Sequence, residues 1–134
     1  MPAWLARRYI SCMNSSSRTE QVFLILTALV DQPRHGYGIV QEVGRLSRGR
    51  MELKVGTLYG ALDRLTSEGL VAPDRDEVES GRLRRYYRLT EDGAEALAAD
   101  AQRLAENARI ATQRLRARGI ALPGGAGGIV GGLA

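Results

Sequence analysis

Apolar residues recur at intervals of three and four in four segments of the chain, and this spacing predicts four α-helices. The first helix is expected to begin near Thr19, a suitable N-cap, and to stop before Pro33, which cannot continue a helix. The second is expected to open at the segment His35–Gly38. Their apolar faces are Val22, Ile25, Leu26 and Leu29, widened by Phe23, Leu24, Ala28 and Val30, in the first helix, and Ile39, Val43 and Leu46 in the second.

The third predicted helix combines an apolar stripe with a polar face. The stripe consists of Val55, Leu58, Leu62 and Leu65, which lie three, four and three residues apart. Gly69 follows at the position of a left-handed C-cap. The opposite side carries Thr57, Tyr59, Gly60, Asp63 and Arg64. Such a face is typical of an ordinary amphipathic surface helix, but the basic hairpin predicted directly after it favours a helix that lies in a DNA major groove.

A β-hairpin is predicted directly after the third helix. Leu70–Pro73 indicates a short strand, whose closing proline marks an edge or the end of the strand. Arg84–Leu89 is rich in strand-forming residues and indicates a second strand. The polar connector between them contains Gly81 as the expected turn residue. Because side chains alternate between the two faces of a strand, at most one of Tyr86 and Tyr87 can face DNA.

A long fourth helix is predicted from the N-cap Thr90 to about Arg118, ended by Gly119. Small and apolar residues recur along it at 4-3-4-3-4, a heptad seam of nearly three repeats. The seam consists of Leu97, Ala101, Leu104, Ala108, Ala111 and Leu115. A homodimer is the expected arrangement. Packing against the first helix of the same chain is the alternative, and both can hold at once.

The net charge of +4 is unevenly distributed. Residues 1–90 hold 14 of the 19 basic residues and 10 of the 15 acidic ones, which favours a polyanionic partner for this part of the chain. The connector before the third helix carries Arg45, Arg48, Arg50 and Lys54, which indicates either phosphate contacts or a solvated loop. Residues 1–18 are expected to be a flexible or loosely docked arm, residues 19–90 the DNA-binding domain, residues 91–118 the dimerisation helix, and residues 119–134 a flexible glycine-rich tail.

The residue inventory argues against an enzyme, a metal site and a cofactor. Cys12 is the only cysteine, so an intrachain disulfide is excluded, and His35 is the only histidine and has no second ligand beside it. No phosphate-binding loop, zinc spacing or nucleophile elbow is present. No apolar run is long enough to cross a membrane and no signal peptide is evident, so the expected location is the cytoplasm.

Several motifs in a fixed order resemble one family, the PadR-like transcriptional regulators. The motifs are His35-Gly36-Tyr37-Gly38-Ile39, Gly56-Thr57-Leu58-Tyr59 with Ala61, Leu62 and Leu65, Glu68-Gly69-Leu70-Val71, and Gly81-Arg82 with Arg85-Tyr86-Tyr87-Arg88-Leu89-Thr90-Glu91-Asp92-Gly93. They cover residues 20 to about 93, and the long helix that follows fits the short-chain branch of the family. The resemblance implies a mainly α fold, in which three helices and a two-stranded wing form a winged helix-turn-helix followed by one C-terminal dimerisation helix.

The resemblance also implies a function and a set of contacts. It implies a homodimeric repressor of a palindromic operator in double-stranded DNA, released by a small-molecule effector. The implied DNA contacts are Tyr37, Thr57, Tyr59, Arg64, Arg82, Arg84 and Arg85. Two departures stand out: Gly60 replaces a proline found in many members, and the fourth helix lacks the aromatic residue with which some relatives hold flat drugs. The alternative function is a winged-helix dimer that senses a ligand or binds a protein without specific DNA readout.

Overall fold

The secondary structure follows the predicted order, with one short strand added. The computed structural model describes residues 16–123, and their side chains from Glu20 onward. The elements are α1 (Ser16–Ala28), β1 (Arg34–His35), α2 (Gly36–Leu46), α3 (Val55–Ser67), β2 (Val71–Glu79), β3 (Arg82–Leu89) and α4 (Glu91–Ala117). The predictions for residues 1–15 and 124–134 lie outside the described residues. The chain forms two compact units, Met1–Ala99 and Asp100–Ala134, and each is considered separately below.

Helix α1 differs from its prediction at both ends. It begins at Ser16, three residues before the expected N-cap Thr19, and it ends at Ala28. The turn after it is tightened, because the Leu29 amide donates to the Leu26 carbonyl at 3.1 Å. The chain has to leave the helical conformation ahead of Pro33, since the residue before a proline is restricted to extended geometry. As a result Val30, expected on the apolar face, is exposed.

The core of the first unit joins the apolar faces of α1, α2 and α3 to the start of the wing. Its fully buried members include Ile25, Leu26, Ile39, Val43, Leu58, Leu62, Leu65, Leu70 and Val71. The predicted stripe of α3 is therefore confirmed apart from Val55, which is 58% exposed. Val55 is the first residue of α3, and helical side chains lean toward the N-terminus, so it lies beyond the edge of the core.

The sheet has three antiparallel strands in the order β1-β3-β2, whereas the sequence predicted two. Strand β1 pairs Arg34 with Tyr87 and His35 with Tyr86. It is only two residues long, and a strand this short shows no hydrophobic alternation from which it could be predicted. Strand β2 does not stop at Pro73 but continues to Glu79. This continuation is tolerated because β2 is an edge strand and a register shift follows the proline.

The turn between β2 and β3 consists of two residues with positive φ. Ser80 has φ 52° and Gly81 has φ 77°, which is the backbone of a two-residue type I′ hairpin turn. The predicted turn residue Gly81 is confirmed. The ladder stays in register up to Glu79 opposite Arg82, so the wing is a narrow two-stranded ribbon at its tip.

Helix α4 is joined to the wing by hydrogen bonds of Thr90. As predicted, Thr90 is the N-cap: its Oγ1 accepts from the Gly93 amide at 2.9 Å. The same hydroxyl donates to the Gly69 carbonyl at 2.7 Å, and Gly69 has the left-handed φ of 79° expected after α3. Gly93 lies so close to the Leu70 carbonyl that a Cβ there would collide with the oxygen and would lie 2.8 Å from Leu89 Cδ1.

This contact gives a stability prediction. Gly93→Ala is expected to lower the free energy of unfolding by about 1–3 kcal/mol, because the added methyl overpacks a backbone contact, although alanine is the better helix former. Thermal and urea unfolding measure the change. Gly44→Ala is the matched control, since a Cβ at Gly44 meets nothing within 4 Å. A Gly93→Ala protein as stable as the Gly44→Ala protein would contradict the prediction.

The second unit contains the rest of α4. From Ala101 onward nearly every residue of this helix is exposed, including the seam residues Leu104 and Leu115. Ile110 is exposed as well and lies outside the predicted seam. Glu106 accepts hydrogen bonds from Arg109 on the polar side, and this contact lowers the pKa of the carboxyl. Within residues 16–123 no helix meets the length and hydropathy that a membrane span requires.

Candidate nucleic-acid interface

The polar face of α3, meaning Thr57, Tyr59, Gly60, Asp63 and Arg64, is exposed throughout. Thr57 and Arg64 lie seven residues apart and therefore on the same side of the helix. Together with Gln21 of α1 they line a groove of about 240 Å³. Tyr59 lies on the other flank, toward the wing. Within residues 16–123 Arg64 forms no ion pair, so its guanidinium can bind an external acceptor.

A helix–wing cleft of about 400 Å³ separates α3 from the hairpin. It is lined by His35, Gly36, Tyr37, Val55, Leu58, Tyr59, Arg82, Leu83, Arg84 and Arg85. The Tyr59 ring lies against Gly36 in this cleft, and a Cβ at position 36 would lie 2.9 Å from Tyr59 Cζ. Only glycine at position 36 therefore allows the tyrosine of α3 to pack against the start of α2.

A histidine caps the N-terminus of α2 beside this cleft. His35 is the N-cap, and its Nδ1 accepts a hydrogen bond from the Gly38 amide at 3.1 Å. The ring also meets Tyr86 edge-on, with 5.2 Å between centroids. The histidine therefore has a structural role as a helix cap. Tyr37, the second residue of α2, is 58% exposed at the N-terminus of this helix, a position that suits a phosphate.

A polar network fixes the middle of the wing. The Tyr86 hydroxyl donates to Glu79 at 2.6 Å, and this hydrogen bond is the main cause that raises the pKa of Tyr86 to about 12. The Arg75 guanidinium lies 4.1 Å above the Tyr86 ring. Arg84 lies between Glu79, at 3.7 Å, and the His35 ring, at 3.4 Å. These contacts link the wing to the start of α2 and set its orientation.

The wing arginines differ in how they are engaged. Arg84 faces Glu79, and Arg85 pairs with Asp76 across the strands at 3.3 Å. Arg82, at the tip, has no ion-pair partner in the described part of the chain. Opposite charges therefore pair across the hairpin, and Arg82 is the wing arginine that this pairing leaves available among the described residues.

A comparison with known protein families shows to which family the chain belongs. Residues 25–99, more than half of the chain, match the family described as transcriptional regulator PadR-like. The chain belongs to this family. Its members are regulators of transcription, and the absence of catalytic residue combinations noted in the sequence is in keeping with that.

Two proteins illustrate the similarity in sequence. Transcriptional regulator Rv3488 of Mycobacterium tuberculosis is 41% identical to this PadR-like chain over 85 residues, which are 63% of the chain and 76% of that protein. A protein of Lysinibacillus sphaericus is 31% identical over 70 residues, or 52% of the chain. The latter match spans 64% of that protein's length, slightly less than two thirds.

Solved structures share the fold. A PadR family transcription regulator from Clostridium difficile is 32% identical, with a TM-score of 0.58 over 71% of this chain and 97% of that one. Bacillus subtilis PadR, in complex with operator DNA, is 24% identical, with a TM-score of 0.52 over 58% of this chain and 45% of that one. The second likeness concerns the fold alone. The winged helix with a C-terminal helix is therefore confirmed as the architecture of this PadR-like chain.

The predicted DNA contacts of the PadR-like chain fall into two groups. Tyr37, Tyr59, Arg82, Arg84 and Arg85 meet in the helix–wing cleft, whereas Thr57 and Arg64 face the groove toward α1. The exposed apolar residues Val55 and Leu83 also line the cleft and were not among the predicted contacts. The helical spacing had assigned Val55 to the buried stripe of α3, and no periodic signal marks Leu83, which lies on a ribbon beyond the core.

The basic connector before α3 is partly engaged. Arg45 pairs with Glu42 on α2, which lowers the pKa of that carboxyl chiefly through the hydrogen bond from Arg45. Arg50 pairs with Glu20 of α1 at 3.3 Å. In the described chain Arg48 and Lys54 have no ion-pair partner. No group of three or more potential metal ligands occurs within residues 16–123.

Proposed function

We propose that the chain is a homodimeric repressor that binds a palindromic operator in double-stranded DNA and is released by a small-molecule effector. The observation that carries the proposal is the polar face of α3, which is exposed along its whole length. Its Arg64 and the wing residue Arg82 have no ion-pair partner among the described residues. A helix fits the major groove of DNA, and a guanidinium there can pair with both acceptors of a guanine. The fold likeness to Bacillus subtilis PadR, solved with operator DNA, supports it.

In the proposed complex the contacts divide between bases and backbone. Arg64 and Thr57 read base edges from one flank of α3, and Tyr59 contacts the strand that enters the helix–wing cleft. Tyr37 and the start of α2 bind a phosphate of that strand. Arg82 is the first wing contact, whereas Arg84 and Arg85 have to exchange Glu79 and Asp76 for phosphates. Because contacts to phosphates release counterions from the DNA, binding should weaken as the salt concentration rises.

The proposed dimer uses the exposed seam of α4. Leu97, the first seam residue, is buried in the core cluster of its own chain, so the interface falls to Ala101, Leu104, Ala108, Ala111 and Leu115. An alanine and leucine surface of this length is unlike a solvated helix face, and a second copy of the same helix complements it. Two recognition helices presented together match a two-fold operator.

Selection from a random duplex pool by the purified protein tests the proposal. An enriched sequence with two inverted half-sites about one DNA turn apart is the expected outcome, and footprinting should protect both half-sites. Adding candidate small molecules should then displace the selected duplex. A pool that stays unenriched, with binding that competitor DNA abolishes, would instead favour a ligand-sensing or protein-binding dimer.

Gly60 provides a test of how closely α3 approaches DNA. A Cβ at Gly60 meets nothing within 4 Å in the free protein, so Gly60→Ala should stabilise the fold by up to about 1 kcal/mol. The same methyl should weaken operator binding by about 1 kcal/mol, because it keeps the helix away from the groove floor. Unfolding and fluorescence anisotropy measure the two effects. Gly44→Ala is the control: it should raise the stability of the fold by a similar amount and leave operator binding unchanged. If the Gly60→Ala and Gly44→Ala proteins bind the operator equally well, the prediction is wrong.

A further inference from the structure

The tip of the wing carries two exposed apolar side chains directly opposite each other. Val78 and Leu83 are a cross-strand pair, 72% and 67% exposed. They form the second pair from the Ser80–Gly81 turn, after Glu79 and Arg82, at a point where β2 is the only strand beside β3 among the described residues. Neither side chain contributes to the core. Threonine also favours strands and could occupy both positions. Exposed apolar residues on a strand at the edge of a sheet promote aggregation, so the strand structure alone does not explain the apolar pair.

The pair is the end of a larger apolar surface. Six large apolar side chains are exposed among the described residues of the first unit: Val30, Tyr37, Val55, Tyr59, Val78 and Leu83. Four of the six line the helix–wing cleft, and Val78 is the cross-strand partner of one of these four. The exposed apolar surface of this unit is therefore concentrated beside α3 and the wing.

We propose that Val78 and Leu83 pack against the deoxyribose walls of the DNA groove next to the one occupied by α3, so that the wing supplies a part of the binding free energy that salt does not screen. This inference rests on the proposed function. Two observations select DNA as the occupant. The pair continues the surface that holds Tyr59, and the neighbouring Arg82 is a free cation positioned for a flanking phosphate.

The geometry of the cleft explains why the contact falls on sugars. With α3 in the major groove, one sugar-phosphate strand occupies the helix–wing cleft, and the wing tip reaches the minor groove beyond it. That groove is about 6 Å wide and carries few distinguishing base edges. Its walls are deoxyribose C–H groups, which offer apolar surface, and apolar side chains are used by other proteins at this place. Arginine alone would leave this surface without a partner.

The salt dependence separates this contact from a charge contact. The double variant Val78→Thr with Leu83→Thr should bind the selected operator duplex about ten-fold more weakly, since apolar area is lost. Its slope of log affinity against log salt should match that of the unmodified protein, because no counterion release is removed. Arg82→Gln should instead make the slope shallower by about 1 for each copy. Fluorescence anisotropy over a salt series measures both.

Matched variants keep the test decisive. Val30→Thr makes the same change at an exposed valine away from the wing and should bind as the unmodified protein does. Thermal unfolding should show all variants folded, since the replaced side chains are exposed. Unchanged affinity of the double variant would overturn the inference and leave the proposed function standing. A changed salt slope, or a changed sedimentation of the free protein, would also overturn it. Failure of the unmodified protein to select any duplex would remove both.

Discussion

Replacing Leu104 and Leu115 with glutamate is expected to turn the proposed dimer into a monomer and to lower affinity for the selected operator about 100-fold or more. Both residues lie on the exposed seam of α4, and charges buried against charges in a helix seam are strongly unfavourable. A monomer binds each half-site separately and loses the effective concentration that links the two binding events, which is worth about 10²–10⁴. Analytical ultracentrifugation and anisotropy with the selected duplex measure the two changes.

The control for the dimer variant adds the same charge elsewhere on the helix. Gln102→Glu with Gln113→Glu places two glutamates on α4 at positions outside the seam, and this protein should remain dimeric with only a small loss of affinity from added negative charge. If both double variants stay dimeric, the seam is not the interface. If both become monomeric, the effect is electrostatic rather than a property of the seam.

Arg64→Ala is expected to weaken binding to the selected operator by about 1–3 kcal/mol for each half-site, and to change binding to random duplexes little. The reason is that Arg64, exposed on α3 and without an ion pair in the described residues, is the cation best placed to read a base. Competition anisotropy with selected and random duplexes measures the ratio. The loss of specificity should concentrate on one base pair in each half-site.

The comparison for Arg64 is an arginine on another helix. Arg116→Ala removes the same charge from an exposed position on α4, and it should reduce affinity for both duplexes slightly and equally. An equal loss on both duplexes by Arg64→Ala would make Arg64 a phosphate contact, since backbone contacts carry no sequence information. Thermal unfolding of both variants checks that the loss does not come from the fold.

Ion pairs within the wing reduce the net positive charge that its arginines present. Strands β2 and β3 contain nearly balanced charges, and Asp74, Asp76, Glu77 and Glu79 face arginines along the ribbon. Binding to DNA therefore replaces existing pairs at most wing positions and gains little net charge attraction there. In the proposed complex, Arg82 and the apolar pair Val78 and Leu83 have no such pairs to exchange among the described residues, so they should have the larger influence on affinity.

The helices of the DNA-binding domain, the stripe on α3 and the long C-terminal helix could all be predicted from the amino-acid sequence. These features depend on spacings of three and four, which a helix translates directly into one buried face, and Leu58, Leu62 and Leu65 are all buried as predicted. Caps also depend on adjacent residues alone. Thr90 and Gly69 therefore occupy the predicted cap positions.

Which side chains contact each other depends on how the elements pack, and this could not be predicted from the sequence. Strand β1 exists because β3 offers it a partner, and β2 continues past Pro73 because it lies at the edge of the sheet. The pairing of Arg85 with Asp76 follows from the register of the hairpin. Glu79 lies opposite Arg82 but is engaged by Arg84 and Tyr86, and Arg82 has no ion-pair partner among the described residues. Val55 and Leu83 became neighbours in one cleft although nearly thirty residues separate them. Contacts of this kind depend on the packing of whole elements, so the spacing of apolar residues within one segment does not predict them.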